Sequence, residues 1–341
     1  MIVEESKGPG DTATITKGRQ VPWLRLLLSL LLSAGGLWFI VRDISLAEMV
    51  LAMRSAHLHL IGAGFLVIAV TTVAKSFRWW LLFQPRSQAP SFSALFWSLS
   101  LGQLVNTAVP FLRLGEVARL VDFGEQTGGS KAQALGTLVV EKVLDMIMLA
   151  LTLFLLLPFL VIPTFVSDSG VALATMALVA FAGLYIVAFK GQFALKIATI
   201  VTRPLPDQLR EKVLGIMEAG LHGLTALQNP GVTLALLLTS AFIAFLSVLT
   251  PWVLFRALDI SLGLVAASAI HVVLTIGTLP PSTPAKVGVF EFLVAFMLAF
   301  FGVENAALVL TYTIIYHLVV VLPQIVFGGI AAARGARNGE P

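Results

Sequence analysis

The chain is poor in charge. Only 12% of its 341 residues are Asp, Glu, Lys or Arg, whereas soluble proteins carry about 25%. Hydrophobic residues make up 58% of the chain, and the formal net charge is only +4. Eighteen acids and 22 bases cannot coat the surface of the roughly two soluble domains that this length would otherwise predict. The composition therefore excludes a soluble enzyme, a disordered protein and a nucleic-acid-binding protein.

The sequence also lacks cysteine. Disulfides, thiolate metal sites and cysteine nucleophiles are therefore excluded. There is no His-Glu-x-x-His zinc motif, no phosphate-binding glycine loop and no Gly-x-Ser-x-Gly nucleophile motif. We therefore expect no cofactor, no metal and no enzymatic activity. A membrane-embedded enzyme, with acids beside an aqueous groove, is the catalytic alternative.

Long apolar runs are abundant. The first follows a polar stretch over residues 1–20, and its length of about 20 residues predicts an uncleaved membrane anchor. Residues 21–330 are predicted to form a single membrane domain, followed by a polar tail over residues 331–341. The apolar segments are Val21–Val41, Leu58–Phe83, Phe92–Leu112, Ala134–Ile162, Val171–Phe189, Val232–Phe255, Leu264–Leu279, Val287–Phe301 and Ala306–Ile330.

The charges between these segments predict the topology, because basic connections are typical of the cytoplasmic side. The connection over residues 163–170 carries only Asp168, so we expect it outside. Both termini are predicted to be cytoplasmic, in a bacterial inner membrane. The bases assigned to cytoplasmic connections and tails are Lys75, Arg78 and Arg86; Arg113, Arg119 and Lys131; Lys190, Lys196, Arg203, Arg210 and Lys212; and Arg334 and Arg337.

Counting crossings predicts two hairpins. Phe92–Leu112 lies between two cytoplasmic connections, so we interpret it as a re-entrant hairpin that turns near Asn106–Pro110. Leu264–Leu279 and Val287–Phe301 are short, and they form either a second hairpin, folded over residues 280–284, or two full spans. The prediction is an all-α polytopic membrane protein. It has about six full spans and two re-entrant or broken hairpins in an inverted-repeat-like arrangement.

The two breaks carry similar residues in the same order: a proline, a base, a glycine two residues after the base, and an acid. Interrupted segments in corresponding halves indicate a transporter binding site, and a helix that restarts there offers free N–H groups to an anion. Two ordinary loops that match by chance are the alternative. The matching residues are Pro110, Arg113, Gly115 and Glu116 at the first break, and Pro284, Lys286, Gly288 and Glu291 at the second.

Charged residues also lie inside an apolar segment. Glu141 and Asp145 are four residues apart and therefore share a helix face. Charges at membrane depth usually face an interior cavity and a partner, for which Arg113 and Arg119 are the candidates. The alternative is a position near the cytoplasmic end of the helix. His271 and His317 also lie in apolar segments. Each is either an interior residue with its hydrogen bonds satisfied or part of a proton relay.

The longest polar stretch links two halves at about 21–189 and 232–330. Within this linker, residues 190–231, the sequence Pro204 to Asp207 predicts a turn and a helix start. Apolar residues then recur from Leu209 to Leu224 at helical spacing. We predict an amphipathic helix at the cytoplasmic surface. This helix has one of two roles: it links the two halves, or it senses lipid or docks a partner.

Three groups of residues together resemble the lysylphosphatidylglycerol synthase transmembrane (flippase-like) family. They are the stretch from Gly102 through Pro110 to Arg119, the stretch Glu141–Asp145, and the stretch Pro284–Glu291. The resemblance covers about residues 21–334. The family usually has Glu-Arg where this chain has Glu141 and Lys142, and often Tyr-Arg where it has Tyr316 and His317.

The resemblance implies a role in lipid movement. In two-part members, this region is associated with moving aminoacylated phosphatidylglycerol between leaflets, while a separate soluble domain makes that lipid. We expect a stand-alone member without the synthase domain. Relatives of this kind are tied to other lipids, including polyprenyl-linked sugars and hopanoids.

We therefore predict a lipid translocase or lipid-binding transporter for an anionic or aminoacylated phospholipid, or for another lipid with a polar head. The rival prediction is a non-transporting scaffold for a lipid-modifying or glycosyl-transferring enzyme. We predict a membrane lipid as the binding partner and no binding of nucleic acid. A lipid-modifying partner enzyme and a homo-oligomer are both possible. The residues expected to bind the head are Asn106, Arg113, Glu116, Arg119, Glu141, Asp145, Lys286 and Glu291, beside the hairpin breaks at Pro110, Gly115, Pro284 and Gly288.

Overall fold

The computed structural model is all-α and contains no strand over the residues it describes, as the composition predicts. These are residues 54, 56–85, 87, 89–109, 114–159, 206–279 and 283–338, with isolated positions between 175 and 203. The helices are α1 (Leu58–Leu81), α2 (Phe92–Ala108), α3 (Leu114–Thr127), α4 (Lys131–Leu156), α5 (Asp207–His222), α6 (Pro230–Ala257), α7 (Leu264–Gly277), α8 (Val289–Phe300) and α9 (Ala306–Asn338).

Three helices in the described part of the chain, α1, α6 and α9, are long and apolar enough to cross a membrane. The helix α4 has 26 residues, but its middle is charged. The predicted span Val21–Val41 lies outside the described residues, as do the outer connection around Asp168 and the tail over residues 1–20. The predicted span Val171–Phe189 is described only at isolated positions. The predicted number of full spans therefore stays a prediction.

Local sequence fixes several helix starts. The Ser91 hydroxyl accepts a hydrogen bond from the Ala94 N–H at 3.2 Å and caps α2. The Asn229 side chain accepts from the N–H groups of Gly231 and Val232, and Pro230 occupies the first turn of α6, where a missing N–H costs nothing.

Two apolar clusters lie at opposite ends of the bundle, because α1, α4 and α6 each contribute one end to each cluster. Cluster A joins the end of α1, the start of α2, the end of α3, the start of α4 and the start of α6. Its members include Leu82, Leu95, Phe123, Ala134 and Leu236. Cluster B joins the start of α1 and the ends of α4, α6 and α8 to the starts of α7 and α9. It includes Ala56, Leu156, Leu258, Ala266, Leu298 and Val309.

The helices α2 and α3 form the first hairpin. Leu95, near its beginning, and Phe123, near its end, both belong to cluster A, so the chain enters and leaves at the same end of the bundle. The two arms approach closely: a Cβ atom on Gly115 would lie 2.1 Å from the Gly102 carbonyl oxygen. Residues 110–113, which include the predicted turn residue Pro110 and Arg113, lie outside the described residues.

The return arm of this hairpin corrects one sequence interpretation. We assigned Arg119 to a cytoplasmic connection, but it lies inside the helix α3 and is only 4% exposed. The two helices of the hairpin cover residues 92–108 and 114–127, so the return arm extends well beyond the predicted segment Phe92–Leu112.

The helices α7 and α8 form a second hairpin with the opposite orientation. Its open end lies in cluster B, where Ala266 begins one arm and Leu298 ends the other. Near the tip, the Leu293 side chain fills the space beside Gly277. A 3-10 turn over Pro284–Lys286 precedes α8, so the break falls where the sequence predicts it.

The helix α5 confirms the predicted amphipathic helix, which begins at Asp207. It packs on the first turns of α4 through glycines: a Cβ atom on Gly136 would lie 2.2 Å from the Gly220 carbonyl oxygen. This contact ties the linker to the wall of the first half. Its predicted role in sensing lipid or a partner stays a prediction.

We expect Gly115→Ala to destabilise the protein by about 1–3 kcal/mol, because the new methyl group would push the two arms of the first hairpin apart. The thermal unfolding temperature of the purified protein in detergent measures this. Gly62→Ala is the matched control, since nothing lies within 4 Å of a Cβ atom at that helical glycine. Alanine there should be neutral or stabilising, by up to about 1 kcal/mol. Equal effects of the two substitutions would contradict the close crossing of α2 and α3.

Candidate functional site

A cavity of about 500 Å³ lies between the tips of the two hairpins. The first hairpin contributes Asn106 and Glu116, and the second contributes Thr278 and Lys286. The helices α1, α4, α6 and α9 supply the remaining wall. Two segments that the sequence marks as corresponding breaks therefore border one space, although Arg113 itself lies outside the described residues.

The buried carboxylate of Glu141 sits between two arginines on one side of this cavity. Arg119 donates to both of its oxygens, at 2.9 and 3.2 Å. Arg78 approaches to 3.6 Å and also pairs with Asp145 at 2.7 Å. The predicted partnership of Glu141 with Arg119 is confirmed. The partner of Asp145 is Arg78, which sequence reasoning assigned to a connection.

The two arginines are held in place by further contacts. The Arg119 guanidinium lies 3.6 Å from the centre of the Trp79 ring, which favours a cation. Trp79 is fixed in turn by its indole N–H, which donates to the Thr137 hydroxyl at 2.9 Å. Arg78 donates to the Ser240 hydroxyl at 3.1 Å and is fully buried. Both guanidinium groups therefore belong to a rigid wall that joins α1, α3, α4 and α6.

Asn106 holds the first hairpin closed. Its side-chain oxygen accepts from the Gly115 N–H at 2.8 Å, across the turn. Its amide nitrogen donates to Glu116 at 3.2 Å, and the other oxygen of Glu116 lies 3.3 Å from the Lys142 ammonium. Because this amide bridges the end of α2 and the start of α3, it fixes the shape of the first tip.

The tip of the second hairpin has an unusual backbone. Ala285 and Lys286 have φ angles of 53° and 63°, which are rare for residues with a Cβ atom, and Gly288 has 89°. Such conformations persist only where the surroundings enforce them. The Lys286 ammonium donates to the Thr278 hydroxyl at 3.0 Å, across the break, and so helps to enforce this one.

Glu291 and His317 hold the same tip from behind. One oxygen of Glu291 accepts from the Gly288 N–H at 2.6 Å, and the other contacts His317 Nδ1. His317 Nε2 lies 2.8 Å from the Ala285 carbonyl oxygen. A carbonyl can only accept, so Nε2 is the donor in this bond, and both ring nitrogens have a partner. Of the two interpretations of His317, the structure favours a satisfied interior residue.

Sequence reasoning missed Lys75 as a cavity residue. It lies on α1, three residues before Arg78 and therefore on the same face. Its side chain lines the cavity and makes no hydrogen bond or ion pair with any residue that the structure describes. The available signal was a base within a long apolar segment, which we interpreted as a topology marker. His271 lines the cavity opposite, from α7.

A family model of a transmembrane region matches most of the chain. The model described as the lysylphosphatidylglycerol synthase TM region matches residues 26–328 of the chain. Among curated proteins, none matches the sequence.

We expect Glu141→Ala to destabilise the protein by about 3–5 kcal/mol, because it leaves two buried guanidinium groups facing each other. Thermal unfolding of the purified protein in detergent measures the loss. The matched control is Glu125→Ala, at an exposed position of α3, where we expect a change within about 0.5 kcal/mol. A small effect at Glu141 would show that the arginine–carboxylate network does not hold the wall together.

Proposed function

The chain belongs to the lysylphosphatidylglycerol synthase TM family, and we propose that this integral membrane protein binds the polar head of a membrane lipid in the cavity and carries it across the bilayer. The observation that supports the proposal is the meeting of two oppositely oriented hairpin tips at one charged cavity. Irregular backbone at membrane depth is tolerated where it lines a wet cavity, and transporter sites are built in this way.

The contrast between the inside and the outside of the bundle supports a path for a polar head. Outward-facing side chains are large and apolar, among them Leu66, Phe245 and Leu318. The cavity instead carries ammonium, guanidinium and carboxylate groups. Because charges in lipid are costly unless paired or hydrated, such a cavity lets a polar head cross while the acyl chains stay in the bilayer.

The charges favour an anionic group on that head. Among the described lining residues there are four cations and three carboxylates. Arg119 and Lys142 are paired with carboxylates, as is Arg78 just behind the wall. Lys75 pairs with none of the described carboxylates, so its ammonium is available to a phosphate. The carboxylate of Asp145 is partly exposed toward the cavity and would receive a cationic portion of the head.

The ammonium of Lys75 distinguishes between the substrates that the sequence left open. Phospholipids and polyprenyl-linked sugars both carry phosphate, whereas a neutral hopanoid head offers nothing to Lys75. We therefore propose a phosphate-bearing lipid, transported without chemical change, in a bacterial inner membrane with both termini cytoplasmic. The scaffold alternative assigns function to the helix α5, to which Arg210 belongs.

Mass spectrometry of the lipids that copurify with the protein in mild detergent tests the proposal. We expect one phosphate-bearing class to be enriched over the bulk membrane, and Lys75→Ala to lose most of that enrichment, because one charge-assisted contact to phosphate is worth a severalfold change in affinity. Lys196→Ala is the matched control, since Lys196 is exposed and lies outside the cavity. Bulk lipid composition in the wild-type protein, or loss of enrichment on Arg210→Ala rather than Lys75→Ala, would contradict the headgroup site.

A further inference from the structure

A second concave space lies beside the charged cavity and differs from it in character. This groove has a volume of about 360 Å³, within the range of ligand-binding pockets. Its only polar side chains among the described residues are Thr152 and Ser268, and the Thr152 hydroxyl donates to the Met148 carbonyl of its own helix. The lining residues come from α4 and its 3-10 extension (Met148, Leu151, Thr152, Leu155, Leu156 and Phe159), from α6 (Ala241, Ala244, Phe245 and Val248) and from α7 (Leu264, Val265 and Ser268).

The groove adjoins the charged cavity along three helices at once. On α4, Asp145 lines the cavity and Met148 lines the groove; on α7, His271 lines the cavity and Ser268 the groove. Each pair is three residues apart, so it shares a helix face over a rise of about 4.5 Å. On α6, Ser247 lines the cavity and its neighbour Val248 the groove. The polar and the apolar space therefore meet within one helical turn.

We infer that this groove is a binding site for an acyl chain of the lipid whose phosphate head occupies the charged cavity. The inference rests on the proposed function and adds the second half of the substrate site. An occupant with an apolar body and a charged end fits the two spaces together. Its body packs against the aliphatic side chains of the groove, while its charged end reaches the polar cavity. A partner helix would cover the apolar side chains of the groove but would not pair with the charges of the cavity beside it.

The direction of the groove gives the bound lipid an orientation. Along α4 it leads away from Asp145 toward Phe159, and along α7 it leads back toward Leu264, so it points to the end of the bundle that holds cluster B. The charge pattern of the sequence predicts that this end faces outward. The site therefore holds a lipid whose chain lies in the outer leaflet, and the head enters the cavity from that side.

Photochemical labelling in nanodiscs tests the inference. The probes are phosphatidylglycerol and diacylglycerol, each with a diazirine on one acyl chain, and peptide mass spectrometry locates the adducts. We expect phosphatidylglycerol to label groove residues such as Met148 and Val248 well above Leu66, a lipid-facing residue that is more exposed than either. Diacylglycerol, which has no phosphate, should label the groove weakly.

Two tryptophan variants of α6 provide the specificity control. Ala244→Trp fills the groove and should strongly reduce its labelling, because the indole ring occupies the space of the chain. Leu234→Trp adds the same side chain at an exposed position of the helix that lines neither space, and should leave the labelling unchanged. Thermal unfolding confirms that both variants are folded.

The outcomes separate this inference from the proposed function. If groove residues are labelled no more than Leu66, or not at all because another segment covers them, the acyl-chain site is overturned even when lipid enrichment persists. If both probes label the groove equally, the chain site is independent of the head, and the link to the cavity is overturned. If lipid enrichment depends on Lys75 but groove labelling is absent, the headgroup site stands without the groove.

Discussion

The buried carboxylate of Glu141 pairs with Arg119 and Arg78 and so joins three helices of the first half. A carboxylate in an apolar bundle is tolerated only with cationic partners close by. These partners come from α1 and from the return arm of the first hairpin. The pairing therefore does two things at once: it compensates the charge, and it fixes the hairpin against the long helices. The bidentate geometry of Arg119 makes this attachment directional.

The second half of the molecule solves the same problem with different residues. Glu291 at the start of α8 pairs with His317 on α9, and His317 also reaches the Ala285 carbonyl. In each half, an acid and a base thus attach a hairpin to a long helix behind it. The two attachments hold the tips on opposite sides of one cavity. Lys75 and Lys286 both line that space, and Lys286 donates to Thr278 across the second break.

Much of this arrangement follows from the sequence, for identifiable reasons. The first hairpin follows from counting crossings between charged connections, whereas the count left the second pair of segments open between a hairpin and two full spans. The amphipathic helix α5 follows from its apolar spacing. Lys75 and Arg78 could not be placed from the sequence, because a base near the end of an apolar segment has the same signature whether it faces the cytoplasm or a buried acid. The helix α3 could not be recognised either, because its polar face resembles a connection. The groove along α4, α6 and α7 has no sequence signature, since its residues are those of any lipid-facing helix.

We propose that a lipid head crosses the membrane through the cavity between the hairpin tips. Reconstitution into vesicles that contain fluorescently labelled phosphatidylglycerol tests it most directly, with dithionite added outside to bleach accessible label. We predict that the wild-type protein exposes the inner-leaflet label to bleaching. Lys75→Ala, reconstituted at equal density, should expose this label more slowly. An inner-leaflet pool that stays as protected as in protein-free vesicles, or bleaching at the same rate with Lys75→Ala, would contradict it.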